Sequence, residues 1–136
     1  ACAELLNCQI EDDFQEIYQK MIEADGIIIG SPVYFGSATP QIMALLDRAG
    51  YVAIKTRAFD RKVGAAIAVA RRAGANFTFA QLNYFFFING MIVPGSTYWN
   101  VGYGRNPEEV KDDEEAVRTI HNLAKNMAWL IKKVKA

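Results

Sequence analysis

The chain has 136 residues, of which 51% are apolar and 22% are charged, proportions typical of one globular domain rather than a disordered segment. Fifteen basic residues balance fifteen acidic ones, so there is no basic field of the kind that indicates binding to nucleic acid or to a membrane surface. The sequence contains no apolar run near the length of a membrane span and no signal-peptide pattern, and we expect a cytoplasmic protein.

The first predicted elements are a helix, a strand and a second helix. Apolar residues recur at helical spacing over residues 14–22. The β-branched residues 27–29 form a run without alternation, which is typical of a strand buried on both faces in a parallel sheet that helices cover. Thr39 followed by Pro40 is typical of a helix cap and first turn, and the apolar spacing continues that helix to about Gly50.

The second half of the chain repeats the alternation of strands and helices. Small apolar residues predict a strand over residues 62–70, an apolar stretch predicts a helix over residues 77–89, and residues 91–93 predict a third strand. Residues 96–106 predict a long loop, and Pro107 opens the last helix. The order αβαβαβα indicates an α/β protein with a doubly wound parallel sheet between two helical layers.

The third predicted helix is apolar nearly all round. Residues 84–87 are one tyrosine and three phenylalanines in succession, and four consecutive residues of a helix cannot all face one core. An exposed apolar patch of this kind usually marks an interface. We therefore expect a homo-oligomer, either a homodimer or a homotetramer.

The segment between the first strand and the second helix lies where open α/β sheets bind ligands, in the crevice beyond the carboxyl ends of the strands. Its small residues let a ligand approach the backbone, and Tyr34 and Phe35 offer two aromatic rings. The segment after the second strand should face the same crevice. The candidate binding residues on these two segments are Ser31, Pro32, Val33, Tyr34, Phe35, Gly36, Ser37, Arg71, Arg72, Ala73 and Gly74.

Five segments resemble the flavodoxin-like NAD(P)H-dependent FMN reductases, and most closely the iron–sulfur flavoprotein branch of that family. Residues 24–36 contain the strand-to-turn sequence Ser-Pro-Val-Tyr-Phe-Gly, which is specific in this context. The other segments are residues 11–13, 40–48, 62–66 and 90–93. The resemblance covers essentially the whole chain.

The resemblance implies a flavodoxin-like fold with FMN at the carboxyl ends of the strands. In the family, the loops after the third and fourth strands of a five-stranded sheet hold the isoalloxazine ring, and these loops match residues 31–37 and 71–76 here. Tyr98 is a further candidate, as a third wall of the ring site. Tyr34 and Phe35 can stack on a flavin or cover it. The alternative is that these two rings only close a core or a subunit contact.

The implied function is that of an FMN-binding oxidoreductase, which transfers hydride or electrons from transiently bound NAD(P)H to a redox small molecule or an electron-transfer protein. Arg71 and Arg72 would then lie near the anionic reduced flavin or a nicotinamide phosphate, although Arg72 is equally open to being a solvated surface cation. Two other functions stay open: an electron-transfer iron–sulfur flavoprotein reduced by a protein partner, and a cofactor-free flavodoxin-like oligomerisation module. No catalytic side chain is assigned.

Cys2 and Cys8 are the two cysteines of the chain. The iron–sulfur branch carries a compact motif of four cysteines, and these two are placed like its last two. Residues 1–10 are therefore interpreted as a remnant of that motif, with Cys2 and Cys8 as candidate ligands of a 4Fe–4S cluster. The alternative is two free thiols.

Several elements of the family's domain have no counterpart in this sequence: the first strand, the phosphate-holding loop after it, the first helix and the second strand. The chain begins with Ala rather than Met, the cysteine motif is interrupted, and the first predicted strand is fully apolar. We therefore expect residues 1–136 to be the C-terminal portion of a single flavodoxin-like domain. An upstream segment would pair with residues 27–29 and complete the phosphate site.

Overall fold

The computed structural model of the chain describes residues 2–136, with side chains from Glu4 onward. Three parallel strands form one sheet with helices on both faces, which confirms the predicted α/β class. The elements in order are α1 (Cys2–Leu5), α2 (Phe14–Glu23), β1 (Gly26–Pro32), α3 (Pro40–Thr56), β2 (Val63–Ala70), α4 (Ala75–Ile88), β3 (Val101–Tyr103), the 3₁₀ turn Glu109–Asp112 and α5 (Glu114–Val134).

The central strand β2 separates two cores, because successive side chains of a strand point to opposite faces of the sheet. Ala66 belongs to the larger core, which α2, α3 and α4 build on one face. Ala65 packs on the other face, against Leu123 of α5. A Cβ on Gly64 would overlap the ring of Phe86, so the small residues of β2 allow α4 to close on the sheet.

β1 lies at one edge of the described sheet and pairs in parallel with β2 over its whole length. Ile27 and Ile29 are buried, but Ile28 on the opposite face is 53% exposed. The prediction of a strand buried on both faces was therefore wrong for the described structure. α5 packs on β2 and contacts β1 only near Gly26, where a Cβ would lie 2.8 Å from Cδ1 of Ile131. After Gly26, no described helix covers the face of β1 that carries Ile28.

The third strand lies later in the chain than predicted. Residues 91–93 contribute one isolated bridge to β2, and the parallel pairing resumes only at β3, inside the predicted loop. Pro94 has no N–H with which to continue the pairing, so the chain leaves the sheet there. The chain rejoins the sheet at Asn100. The side-chain amide of Asn100 donates to the carbonyl of Ala66 at 3.1 Å, and its backbone carbonyl accepts from the N–H of Ala68 at 3.0 Å.

Two helix boundaries also differ from the predicted ones. α3 continues to Thr56 and so includes Gly50, the predicted end. The last helix begins after Asp113 rather than at Pro107, because the carboxylate of Asp113 caps it by accepting from the N–H of Ala116 at 3.0 Å. No described helix is both long enough and apolar enough to cross a membrane.

Candidate functional site

A tight turn follows β1 and presents an exposed aromatic ring. The N–H of Tyr34 donates to the carbonyl of Ser37 at 2.9 Å, and the N–H of Ser37 donates back to the carbonyl of Tyr34 at 3.2 Å. Between them Phe35 (φ 51°) and Gly36 (φ 80°) are both left-handed, as in a two-residue hairpin turn. This backbone costs a non-glycine residue about 1–2 kcal/mol. Phe35 adopts it with its side chain fully exposed, which makes the turn a candidate binding feature.

The segment after β2 contacts this turn through two glycines. Gly74 is left-handed (φ 87°), and a Cβ on it would lie 2.8 Å from Cα of Gly36 and 2.9 Å from Cγ1 of Val33. Any larger residue at this position would push the two segments apart. The structure therefore brings the predicted segments of residues 31–37 and 71–74 together at the carboxyl ends of β1 and β2.

Gln81 of α4 fixes the second half of the turn. Its Oε1 accepts from the hydroxyl of Ser37 at 3.0 Å and from the N–H of Ala38 at 3.0 Å. The two bonds join the turn to a rigid helix more than 40 residues later in the chain. Gln81 was not among the predicted site residues, and its one sequence signal is a polar side chain within a largely apolar helix.

Ser31 is buried, and its hydroxyl is used within the chain. The hydroxyl accepts from the N–H of Thr39 at 3.0 Å and donates to the carbonyl of Pro32 at 2.8 Å. Thr39 in turn caps α3, as predicted, by accepting from the N–H of Ile42. Ser31 therefore joins the end of β1 to the start of α3, the two elements that flank the turn.

Arg71, Arg72 and Ala73 are exposed at the end of β2. Neither arginine side chain forms a hydrogen bond or ion pair with another described residue. The N–H of Gly104 donates to the carbonyl of Ala70 at 3.1 Å, which brings a third exposed cation, Arg105, next to this end of the sheet. Three exposed arginines therefore lie at this end of the sheet, where the carboxylate of Glu109 also accepts from the N–H of Arg105 at 2.7 Å. Arg105 was not among the predicted site residues.

The family model described as NADPH-dependent FMN reductase matches residues 1–106. An iron-sulfur flavoprotein of Methanocaldococcus jannaschii is 41% identical over 141 residues, which cover 98% of this chain and 72% of that protein. The chain belongs to the NADPH-dependent FMN reductase family. An iron-sulfur flavoprotein of Methanosarcina thermophila is 39% identical and is covered to 66% of its length, against 93% of this chain. The chain thus spans about two thirds to three quarters of these relatives, and it belongs among the flavin-dependent oxidoreductases.

Solved structures confirm the flavodoxin-like fold of this chain. The WrbA-like flavodoxin from Agrobacterium tumefaciens superposes with a TM-score of 0.63 at 16% identity, over 82% of this chain and 74% of that one. At this identity the likeness establishes the fold alone. The predicted flavodoxin-like doubly wound architecture is therefore correct for the described residues.

The turn has the features that the ring of FMN requires. The N–H groups of Phe35 and Gly36 have no acceptor among the described residues. A Cβ on Gly36 would meet no atom within 4 Å, apart from its chain neighbours, so the backbone is open to an approaching ligand. Two free donors beside an exposed aromatic ring suit the carbonyl-rich edge and the flat face of an isoalloxazine. The described residues therefore fit the ring of this cofactor.

Tyr98 lies next to α4. It lines a groove of about 610 Å³ beside α4, which it shares with Trp99, Tyr84 and Phe87. The centres of the Tyr98 and Trp99 rings are 5.0 Å apart. No residue of the two segments that were predicted to bind the ring lines this groove in the described structure. The prediction that Tyr98 forms a third wall of the flavin site stays a prediction.

Cys8 has surroundings that stabilise a thiolate. A backbone hydrogen bond from Ile10 lowers the pKa of the buried thiol, and the Arg48 guanidinium lowers that pKa further by donating from Nε to Sγ at 3.2 Å. The same guanidinium binds both carboxylate oxygens of Asp12 at 2.8 Å. The side chain of Cys2 lies outside the described residues, which contain no group of three or more metal ligands. Cys8 therefore fits a single thiolate ligand, and the described residues do not by themselves fit a 4Fe–4S cluster.

Proposed function

We propose that the chain forms the ring-binding part of an FMN-dependent oxidoreductase that takes hydride from NAD(P)H and passes electrons to a redox small molecule or an electron-transfer protein. The observation that carries the proposal is the turn of residues 33–37, with an exposed aromatic ring and two free N–H donors. FMN, when bound, supplies the hydride acceptance and the electron transfer. The names of the relatives at 41% and 39% identity support a flavin function.

The chain's own residues bind and orient the ring. The N–H groups of Phe35 and Gly36 would donate to the carbonyl edge of the flavin, and the ring of Phe35 would pack against the flavin. Gln81 keeps these donors in place before the ligand arrives, which lowers the entropy lost on binding. Gly74 keeps the second segment close enough to complete the site.

Arg71 and Arg72 would bind the phosphates of the nicotinamide donor. Both are exposed cations beside the turn, and guanidinium groups bind phosphate through paired N–H donors. A nicotinamide dinucleotide that places its ring over the flavin would bring its phosphates to this rim. The two arginines would then hold the phosphates of the donor.

Titration of the full-length protein with FMN, followed by anaerobic addition of NADPH, tests the proposal. We expect tight FMN binding and loss of the oxidised flavin absorbance when NADPH is added. Binding without that loss would favour a flavin electron carrier reduced by a protein partner. Absence of FMN binding would favour a cofactor-free oligomerisation module and would contradict the proposal.

Cys8 carries a second, separate proposal: we infer that it is one thiolate ligand of a 4Fe–4S cluster, together with Cys2. The lowered pKa of its thiol and the hydrogen bond from Arg48 support this inference, as does the name of the relatives. Protein purified without oxygen should contain iron and sulfide, and Cys8→Ser should lower both. Full-length protein that lacks iron and sulfide after anaerobic purification would contradict it.

A further inference from the structure

Two buried asparagines beside the groove that Tyr98 lines each keep a side-chain oxygen without a hydrogen-bond partner. Asn83 and Asn100 are both 5% exposed, and the Oδ1 atom of neither accepts a hydrogen bond from a described residue. A buried acceptor without a donor destabilises a protein, and buried polar groups nearly always have a partner. A donor is therefore expected at each of these two oxygens.

Both asparagines are held in place by the nitrogen end of the side-chain amide. Asn83 lies on α4, and its Nδ2 donates to the carbonyl of Phe79, one helical turn earlier, at 2.8 Å. The Nδ2 of Asn100 donates to the carbonyl of Ala66 in the central strand. These bonds turn each amide nitrogen toward the backbone, so the oxygen is the end that is left for a ligand. The two acceptors are thus in place before a ligand binds, which lowers the entropy lost on binding.

Asn83 and Asn100 both line the groove of about 610 Å³ between α4 and the segment that carries Tyr98. This volume lies within the range of about 300–1,000 Å³ that is usual for small-molecule sites. The walls of the groove carry five aromatic side chains, which are Phe79, Tyr84, Phe87, Tyr98 and Trp99. An apolar groove with a few fixed polar groups is the usual form of a small-molecule site.

The residues of the groove define the chemistry of its ligand. No charged side chain is among the described residues that line it, so a charged ligand would lose its hydration without gaining a counter-ion. Aromatic walls favour a flat ring, which stacks on them or meets them edge to face. The free groups of Asn83 and Asn100 are acceptors, so the ligand must carry the donors.

Exposed aromatic rings on their own would indicate a protein partner, because a protein surface can cover a broad apolar face. Tyr84 and Phe87 are exposed in this way, at 68% and 61%. A broad apolar contact does not explain Asn83 and Asn100, however, since two buried acceptors need donors at defined positions. The two asparagines therefore favour a small ligand in this groove.

We propose that the groove binds a flat, uncharged aromatic compound that carries O–H or N–H donors. The ring of the compound lies among the aromatic side chains, and its donors pair with the Oδ1 atoms of Asn83 and Asn100. No residue of the turn at residues 33–37 is among the described residues that line the groove. This site is therefore separate from the proposed flavin site, and the proposal does not depend on flavin binding.

Calorimetric titration of the full-length protein with naphthoresorcinol, in the absence of oxygen, tests the proposal. Naphthoresorcinol is a flat two-ring compound with two O–H donors, and its dimethyl ether is the control ligand because it keeps the rings and lacks the donors. We expect naphthoresorcinol to bind at least tenfold more tightly than the ether, and to bind equally well when FMN is present at saturation. Absence of binding, equal affinities for the two compounds, or displacement by FMN would each overturn the proposal.

Replacement of Asn83 tests the acceptor directly. Asn83→Leu removes the oxygen and keeps a side chain of similar size, so it should lower the affinity for naphthoresorcinol about tenfold and leave that for the ether unchanged. Asn89→Leu is the matched control. Asn89 is 4% exposed, its Nδ2 donates to the carbonyl of Phe85 four residues earlier, and its Oδ1 also lacks a described partner, but it lines the groove between α3 and α4. Its replacement should leave both affinities unchanged.

Trp99→Leu provides an independent variant if Asn83→Leu does not fold, as judged by circular dichroism. Trp99 is 51% exposed, so its replacement leaves the core intact. Loss of the indole ring should lower the affinity for both compounds at least threefold, because both use the aromatic wall. Unchanged affinity in the folded variants would show that the compound binds elsewhere and would overturn the proposal. A loss in Asn89→Leu as large as that in Asn83→Leu would overturn it as well.

Discussion

The turn at Phe35 and helix α4 both expose aromatic rings, but on very different backbones. Phe35 is a single ring in left-handed backbone, on a turn that Gln81 and Ser37 fix in place. Tyr84 and Phe87 lie on the regular helix α4 and belong to a broad exposed apolar surface. A strained, isolated ring indicates a ligand that needs one defined position, whereas a broad relaxed face indicates another protein surface.

Replacement of Gly74 by Val should have the largest effect on the ring site. The new side chain would meet Cα of Gly36 and would require left-handed backbone, at a combined cost of about 3 kcal/mol. We expect the dissociation constant for FMN to rise about 100-fold, measured by fluorescence titration. Gly95→Val is the control, because a Cβ there meets no atom within 4 Å. A folded Gly74→Val protein that keeps wild-type affinity would show that the turn is not the ring site.

Replacement of Gln81 tests whether the hydrogen bonds that fix the turn contribute to FMN binding. Gln81→Ala leaves the hydroxyl of Ser37 and the N–H of Ala38 without their acceptor, a loss of about 1–2 kcal/mol. We expect FMN affinity to fall about tenfold. Gln81→Glu still offers an acceptor oxygen and should restore most of that affinity. Equal losses in both variants would assign Gln81 a packing role instead of a positioning one.

Arg71→Gln combined with Arg72→Gln should affect the nicotinamide donor and not the flavin. Exposed cations contribute about 1 kcal/mol to phosphate binding, so KM for NADPH should rise about fivefold. The dissociation constant for FMN should stay within about twofold, because the ring contacts are backbone groups. Arg118→Gln on α5 is the control. An unchanged KM in the double variant would leave Arg71 and Arg72 as solvated surface cations.

The pH dependence of stability should show the smallest effect, at Asp12. The hydrogen bonds from Arg48 and then from the N–H of Phe14 lower the pKa of this carboxyl below its ordinary value of 3.8. Its contribution is therefore present above about pH 4 and is lost as the pH falls through the lowered pKa. Asp12→Asn should be less stable than wild type at neutral pH, and urea unfolding should show the difference narrowing in acid. A difference that does not change with pH would contradict this assignment.

The sequence predicts the elements that local patterns encode. The apolar run before Ser31 and the Thr39-Pro40 pair locate β1, the turn and α3, because strand burial and helix capping leave marks within a few residues. β3 is missed because it has three residues and because a side-chain amide, that of Asn100, replaces a backbone partner next to it.

Other features depend on contacts between distant segments. Gln81 reaches Ser37 across 44 residues, and no local pattern marks such a bond. The path of the chain after Pro94, which places Tyr98 beside α4, likewise depends on contacts between segments and not on a local pattern. The exposure of Ile28 depends on which helices cross β1, which the β-branched run itself does not encode.

The central claim is that the turn of residues 33–37 binds the flavin ring through its backbone. Amide hydrogen exchange and ¹H–¹⁵N spectra of the full-length protein, recorded with and without FMN, test it without any substitution. We predict slower exchange and shifted resonances for the N–H groups of Phe35 and Gly36 when FMN binds, because these groups have no acceptor among the described residues. FMN binding that leaves both groups unshifted and unprotected would contradict the account.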